Sequence, residues 1–175
     1  MSATAQTLPA GTYGLDPVHS TIGFAIKHNG ISTFRGSFDK YDAGYEDGVL
    51  TGSAQVDSLA IDLPDLKGHL LSEEFFNAEV TPTVTFRSTA IRVAEDGTAE
   101  VDGDLTIKGT TKPVTAKGTY AQGPNLMGSE VIAFELEAVI DRREFGLNWQ
   151  APLPNGNDVL AWDVALQAHL ELIKA

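Results

Sequence analysis

The sequence predicts an all-β protein: an eight-stranded antiparallel β-barrel with a short helical insert around residues 64–76, forming a single domain over 11–175 behind an N-terminal extension, 1–10. Three observations carry this expectation. Apolar and polar side chains alternate in runs of about ten residues. The runs are separated by Gly, Pro, Asn and Asp, the residues that tight turns require. Small residues (Gly36, Gly52, Ala54, Gly103, Ala116 and Gly118) share the apolar faces with aromatics at 24, 38, 86, 134 and 162, and a glycine inside a strand marks a bend or a close approach to the backbone. About eight long strands with one apolar face cannot stay an open sheet, because that face must be covered and the edges managed. Closure into a barrel does both, and eight strands enclose roughly the space of one small ligand.

The elements follow in order. A short strand is expected around Tyr13 and Leu15. Ser20 to His28 then sets Ile22, Phe24, Ile26 and His28 on one face, and Phe34, Gly36, Phe38 and Lys40 form one face of the next run. "EDG" at 46–48 predicts a hairpin turn, leading to Leu50, Gly52, Ala54 and Val56 in phase. Leu63, Leu66 and Leu70 are spaced for one side of a helix, with Pro64 tolerable at its start. Val84, Phe86, Ser88 and Ala90 resume the strand period, and "EDGT" at 95–98 turns the chain into Val101, Gly103, Leu105 and Ile107. After "KGTTKP" come Val114, Ala116, Gly118 and Tyr120, then Ile132 to Ile140, and finally Leu160 to Leu172 with Trp162 in the apolar phase.

Composition removes several function classes. The formal net charge of −12 repels a phosphate backbone or an anionic bilayer, so nucleic acid is not an expected partner. With no cysteine, disulfides, thiolate metal ligands and a cysteine nucleophile are excluded together. The first fifteen residues show neither the basic start nor the apolar core of a secretory signal, and no stretch is apolar enough for an integral membrane segment, so a cytoplasmic location is expected.

Local motifs for catalysis are missing. There is no HxH, HxxxH or HExxH spacing, no GxSxG, no GxxxxGK[ST] and no GxGxxG after a strand, so neither a metal site nor a catalytic residue is assigned. His19 and His28 are nine positions apart, an odd spacing that sends them to opposite faces of an unbroken strand. At about 3.3 Å per residue they also lie on the order of 30 Å apart. In "DRREFGLNW", Arg142 beside aromatic residues is either a buried cation paired with a carboxylate or a cation stacked on aromatic surface.

The combination of "DPVHSTIGFAIKHNG", "GHLLSEEFFNAEVTPTVTFRST", "GDLTIKGTTKPVT" and "DRREFGLNW" resembles the YceI family of polyisoprenoid-binding proteins, with four motifs in the family's order over about residues 11–172. The resemblance implies a lipocalin-like eight-stranded barrel whose lumen holds a polyprenyl, quinone or fatty-acyl lipid, without enzyme activity and without another cofactor, in a protein that is often a homodimer. The matched positions include His19, His28, His69, Phe75, Phe76, Phe86, Gly103, Arg142, Phe145 and Gly146. One departure is Leu66-Lys67, where the family usually has an Arg-Asp pair.

The expected lumen wall comprises Ile22, Phe24, Ile26, His28, Phe38, Phe86, Leu105, Ile107, Phe134 and Trp162, with His19, His69, Arg142 and Trp149 as candidates for the rim or a head-group contact. The leading expectation is a lipid carrier, store or sequestering protein. One alternative is an isomerase or cyclase of an isoprenoid-like substrate with a histidine as acid or base. Another is a barrel packed solid by its own side chains.

Overall fold

A computed structural model describes residues 5–175, over which the chain forms ten strands, one α-helix and three short 3-10 turns. The strands are β1 (Thr12–Leu15), β2 (Thr21–His28), β3 (Ser32–Ser37), β4 (Tyr41–Glu46), β5 (Val49–Gln55), β6 (Thr83–Val93), β7 (Thr98–Ile107), β8 (Thr110–Pro124), β9 (Glu130–Asp141) and β10 (Leu160–Lys174), with α1 (Pro64–Leu71) between β5 and β6. Of the N-terminal extension, residues 1–4 lie outside the described residues, while Ala5 bridges to Ala94 and the Gln6 amide donates to the Val93 carbonyl at 2.7 Å.

All pairings between strands are antiparallel, and the ring closes through β1, which pairs with β4 on one side and β10 on the other. This is the expected eight-stranded barrel, with two of its strands each broken in two. β1 and β2 run successively along β10, β1 against Leu172–Lys174 and β2 against Leu160–His169. β3 and β4 likewise pair with β2 and β1. The first break is the "DPVHS" motif. Asp16 caps the 3-10 turn Pro17–His19 through the Val18 amide, and the Ser20 hydroxyl accepts from the Glu171 amide at 3.0 Å. Tyr41 donates its hydroxyl to the Ser20 carbonyl at 2.5 Å, tying the two breaks together.

The "EDG" turn is a two-residue hairpin in which Asp47 and Gly48 both have positive φ, 46° and 91°, the conformation that matches strand twist and that glycine adopts without strain. The connections at 47–48, 94–97 and 125–129 share one end of the barrel; those at 29–31, 56–82, 108–109 and 142–159 share the other. At that second end β3 pairs with β2 alone, and the segment 56–82 spans the gap between β3 and β6. It is stitched to β3 by the Ala60 amide on the Ser37 carbonyl at 2.8 Å.

The helix is shorter than the insert expected at 64–76. It begins with Pro64 in the first turn, where its missing N–H costs nothing, and ends at Ser72, whose backbone is extended and whose amide and hydroxyl both return to the His69 carbonyl. Residues 72–81 continue as turns held by the Phe76 amide on the Leu70 carbonyl and the Thr81 hydroxyl on the Phe76 carbonyl.

The interior differs along the barrel axis. Towards the end carrying 47–48 and 94–97, Tyr13, Tyr45, Val101, Tyr120, Ile132, Phe134 and Leu172 are almost wholly buried in one cluster. Towards the other end, inward side chains from the same strands, joined by the insert, surround open space.

Candidate functional site: an apolar cavity at one end of the barrel

That space is a cavity of about 590 Å³. Its wall takes alternate residues from the strands, as a closed sheet of period two must supply them. Ile22, Phe24 and Ile26 come from β2, Val84 and Phe86 from β6, Leu105 and Ile107 from β7, Leu136, Ala138 and Ile140 from β9, and Val164, Leu166 and Leu170 from β10. Among the described residues no carboxylate and no lysine lines it; its ionisable side chains are His28, His69 and Arg142. Two wall aromatics depend on glycines. The Phe24 ring lies over Gly36, its cross-strand partner, and the Phe86 ring lies over Gly103, each ring occupying the place a Cβ would take.

The insert forms the remaining wall. Leu66, His69 and Leu70 face the cavity from α1, and Phe75 and Phe76 from the turns after it. His69 stands edge-on to Phe75 and Trp149 at centroid distances of 4.9 and 5.2 Å, with its Nε2 2.6 Å from a Glu74 carboxylate oxygen. Lys108 anchors the insert, donating to the Glu73 carbonyl at 2.7 Å and to that of Gly146 at 3.3 Å.

Of the expected wall, the structure brings Ile22, Phe24, Ile26, His28, Phe38, Phe86, Leu105 and Ile107 together around the cavity. Two residues fall elsewhere. Phe134 points inward but lies deeper, fully buried in the solid cluster against Tyr45 and Tyr120. Trp162 leaves the wall because β10 bulges there: four residue steps from Leu160 to Val164 face only two, His28 to Ile26, on β2. An irregularity of this kind re-aims side chains locally, and Trp162 carries the Arg142 and Arg143 guanidiniums over its ring at 4.3 and 4.7 Å.

Of the expected rim, His69, Arg142 and Trp149 meet the cavity and His19 does not. His19 is exposed on the outer 3-10 turn, with its Nδ1 2.7 Å from Asp16, whose carboxylate raises the imidazole pKa above its ordinary value. Arg142 is buried without a carboxylate hydrogen-bonded to it. It donates to the carbonyls of Leu147 (2.6 Å), Trp149 (2.8 Å) and Ala161 (2.9 Å), and burial pushes its pKa below the ordinary arginine value. With these donors engaged, Arg142 fixes the 142–149 segment against the start of β10. His28, by contrast, makes no side-chain hydrogen bond among the described residues and sits at the end of β2 beside the mouth. The contribution of Leu66, Leu70, Phe75 and Phe76 was not assigned from the sequence. Its signal was the four-residue spacing of Leu66 and Leu70, which places both on one helix face.

The YceI-like domain family model matches residues 13–172, the whole barrel and its insert. The chain belongs to the YceI-like domain family. A UPF0312 protein of Pseudomonas aeruginosa is 32% identical over 154 residues, covering 82% of this chain and 80% of its own. A UPF0312 protein of Staphylococcus epidermidis is 30% identical over 169 residues, 91% of this chain and 95% of its own. Among solved structures, BcnA of Burkholderia cenocepacia has a TM-score of 0.72 at 23% identity, with 90% of this chain and 98% of that one covered. A polyisoprenoid binding domain of Saccharophagus degradans has a TM-score of 0.65 at 14% identity over 93% and 98% of the two chains. These structures share the YceI-like barrel. Where YceI relatives are expected to carry an acid in the helical motif, this YceI-like chain has Lys67, half-buried on α1 and in no ion pair among the described residues. Among the described residues no helix is long and apolar enough to cross a membrane.

Proposed function

We propose that this YceI-like barrel binds one long-chain amphiphile, of polyisoprenoid, quinone or fatty-acyl type, and acts as its carrier, store or sequestering protein without transforming it. The carrying observation is the cavity of about 590 Å³ with a predominantly apolar wall and few polar groups. A preformed apolar space with a small number of polar groups is the usual form of a ligand site. A hydrocarbon tail inside it leaves water at a gain of about 0.8 kcal/mol per CH₂, while the head group stays at the mouth within reach of His28. The Saccharophagus domain, described as polyisoprenoid binding, shares the barrel and supports the choice of tail.

Thermal unfolding of the full chain with added farnesol, a short-tailed ubiquinone or palmitate tests this reading. A ligand at a hundred times its Kd adds about 2.7 kcal/mol to stability, so at least one of the three raises Tm. If none raises Tm and none displaces a fluorescent lipid probe, the proposal is wrong. His28→Leu should reorder affinities among ligands that share a tail and differ in head group. An unchanged order would remove His28 from the head-group site.

A further inference from the structure

We propose that Asp16, His19 and Glu171 form a site for one divalent transition-metal ion on the outer wall of the barrel, separate from the cavity. Two of the three ligands come from the "DPVHS" motif, whose histidine the cavity does not use.

Strand alternation puts the site outside. On β10, Leu170 and Leu172 point inward and are buried, so Glu171 between them faces outward. The turn 16–20 lies beside that residue, because Leu15 pairs with Leu172 before the turn and Thr21 with His169 after it. The turn is also fastened to Glu171 itself. The Asp16 amide donates to the Glu171 carbonyl at 2.9 Å, and the Glu171 amide donates to the Ser20 hydroxyl at 3.0 Å. No spacing motif announces the trio, since the sheet rather than the sequence brings Glu171 to the turn.

A ring nitrogen of His19 and one carboxylate oxygen each of Asp16 and Glu171 lie within 4.8 Å of one another. Zinc bonds of about 2.1 Å put neighbouring ligands of a tetrahedral shell about 3.4 Å apart, a spacing within reach of side-chain rotation here. Asp16 binds without giving up its structural contact: Oδ1 accepts from the Val18 amide, while Oδ2 stands 2.7 Å from His19 Nδ1, where the ion replaces a hydrogen-bonded proton.

The acidic charge has no internal counterion. Among the described residues Glu171 is hydrogen-bonded through its backbone alone, and no lysine or arginine pairs with it or with Asp16. The hydrogen bond and charge of Asp16, and then the charge of Glu171, raise the imidazole pKa; a field that favours a proton there favours a metal cation. An imidazole nitrogen with two carboxylate oxygens suits zinc, nickel or copper, whereas an all-oxygen set suits magnesium or calcium. His19 is exposed, which leaves the remaining coordination to water.

Calorimetric titration of the full chain, stripped with EDTA, with zinc chloride tests the proposal. The parent should bind one zinc ion per chain and rise in Tm as it does so. His19→Ala and Glu171→Gln should each weaken that binding at least tenfold, because loss of even an outer partner costs a metal site about 10–100-fold. Circular dichroism checks that both variants fold. His169→Ala removes the exposed histidine two residues along β10 and should bind zinc as the parent does. Magnesium chloride should bind at least tenfold more weakly than zinc. The proposal is overturned if the parent binds no zinc, if either folded variant binds it as tightly as the parent, or if His169→Ala abolishes binding. Magnesium binding as tight as zinc would overturn the assignment to a transition metal.

Discussion

Arg142 carries a charge into the apolar end of the barrel without a hydrogen-bonded carboxylate. The backbone solves the problem: carbonyls of Leu147, Trp149 and Ala161 accept its donors, and the Trp162 ring covers its face. Arg142→Met removes the donor from the buried Leu147 carbonyl and from the partly buried carbonyls of Trp149 and Ala161, at about 1–3 kcal/mol for each group left unpaired. Chemical denaturation should show a loss on the order of 3 kcal/mol, and a loss below about 1 kcal/mol would contradict the clamp. The tyrosines of the buried cluster make a second prediction. Burial, ahead of the effect of nearby Glu130, pushes Tyr13 up to about 12, and burial does the same for Tyr120. Both lie above the ordinary value of 10.0. The stability they contribute is therefore complete below pH 10 and is lost as pH rises through about 12. Ultraviolet titration should show tyrosines that ionise only above the ordinary range, together with falling stability there; normal titration of all four tyrosines would contradict their burial in the cluster. The sequence marked Arg142 as notable but left its partner open, because two of the accepting carbonyls, those of Leu147 and Trp149, belong to a segment without a regular period and the third, that of Ala161, is a backbone group that side-chain alternation does not report.

At the scale of elements, strands and turns were legible because alternation of side chains and the turn residues encode them directly. "EDG" at 46–48 gave both a location and a backbone conformation, realised by Asp47 and Gly48. Depth and bulges were not legible. Phe134 has the inward parity expected of a wall residue, but alternation says nothing of how far along the axis a residue lies. Trp162 lost its parity to the β10 bulge, a feature of how two strands align rather than of either alone. The helix end at Ser72 was missed by a few residues because the hydroxyl and amide that close it act locally on the His69 carbonyl. The glycines opposite Phe24 and Phe86 are a testable part of the wall. Gly36→Val or Gly103→Val places side-chain atoms where those rings lie, and forced repacking of this kind costs about 1–3 kcal/mol. Both should lower the unfolding midpoint and weaken lipid-probe uptake; unaltered uptake in either would show that its ring is not part of the wall.

For the whole molecule, sequence and structure agree on a barrel and divide its interior differently. Composition and periodicity anticipate a lumen, whereas the folded chain fills one half with tyrosines and Phe134 and leaves the other open beneath the insert. The insert, expected from the sequence to pack on or close one end of the sheet, supplies one side of the opening. The central claim is that this open half holds one apolar tail. Native mass spectrometry of the full chain purified from its own host, before and after incubation with excess farnesol, tests it most directly. The account predicts one bound amphiphile per chain, either co-purified or acquired. Only the bare polypeptide mass under both conditions would contradict it.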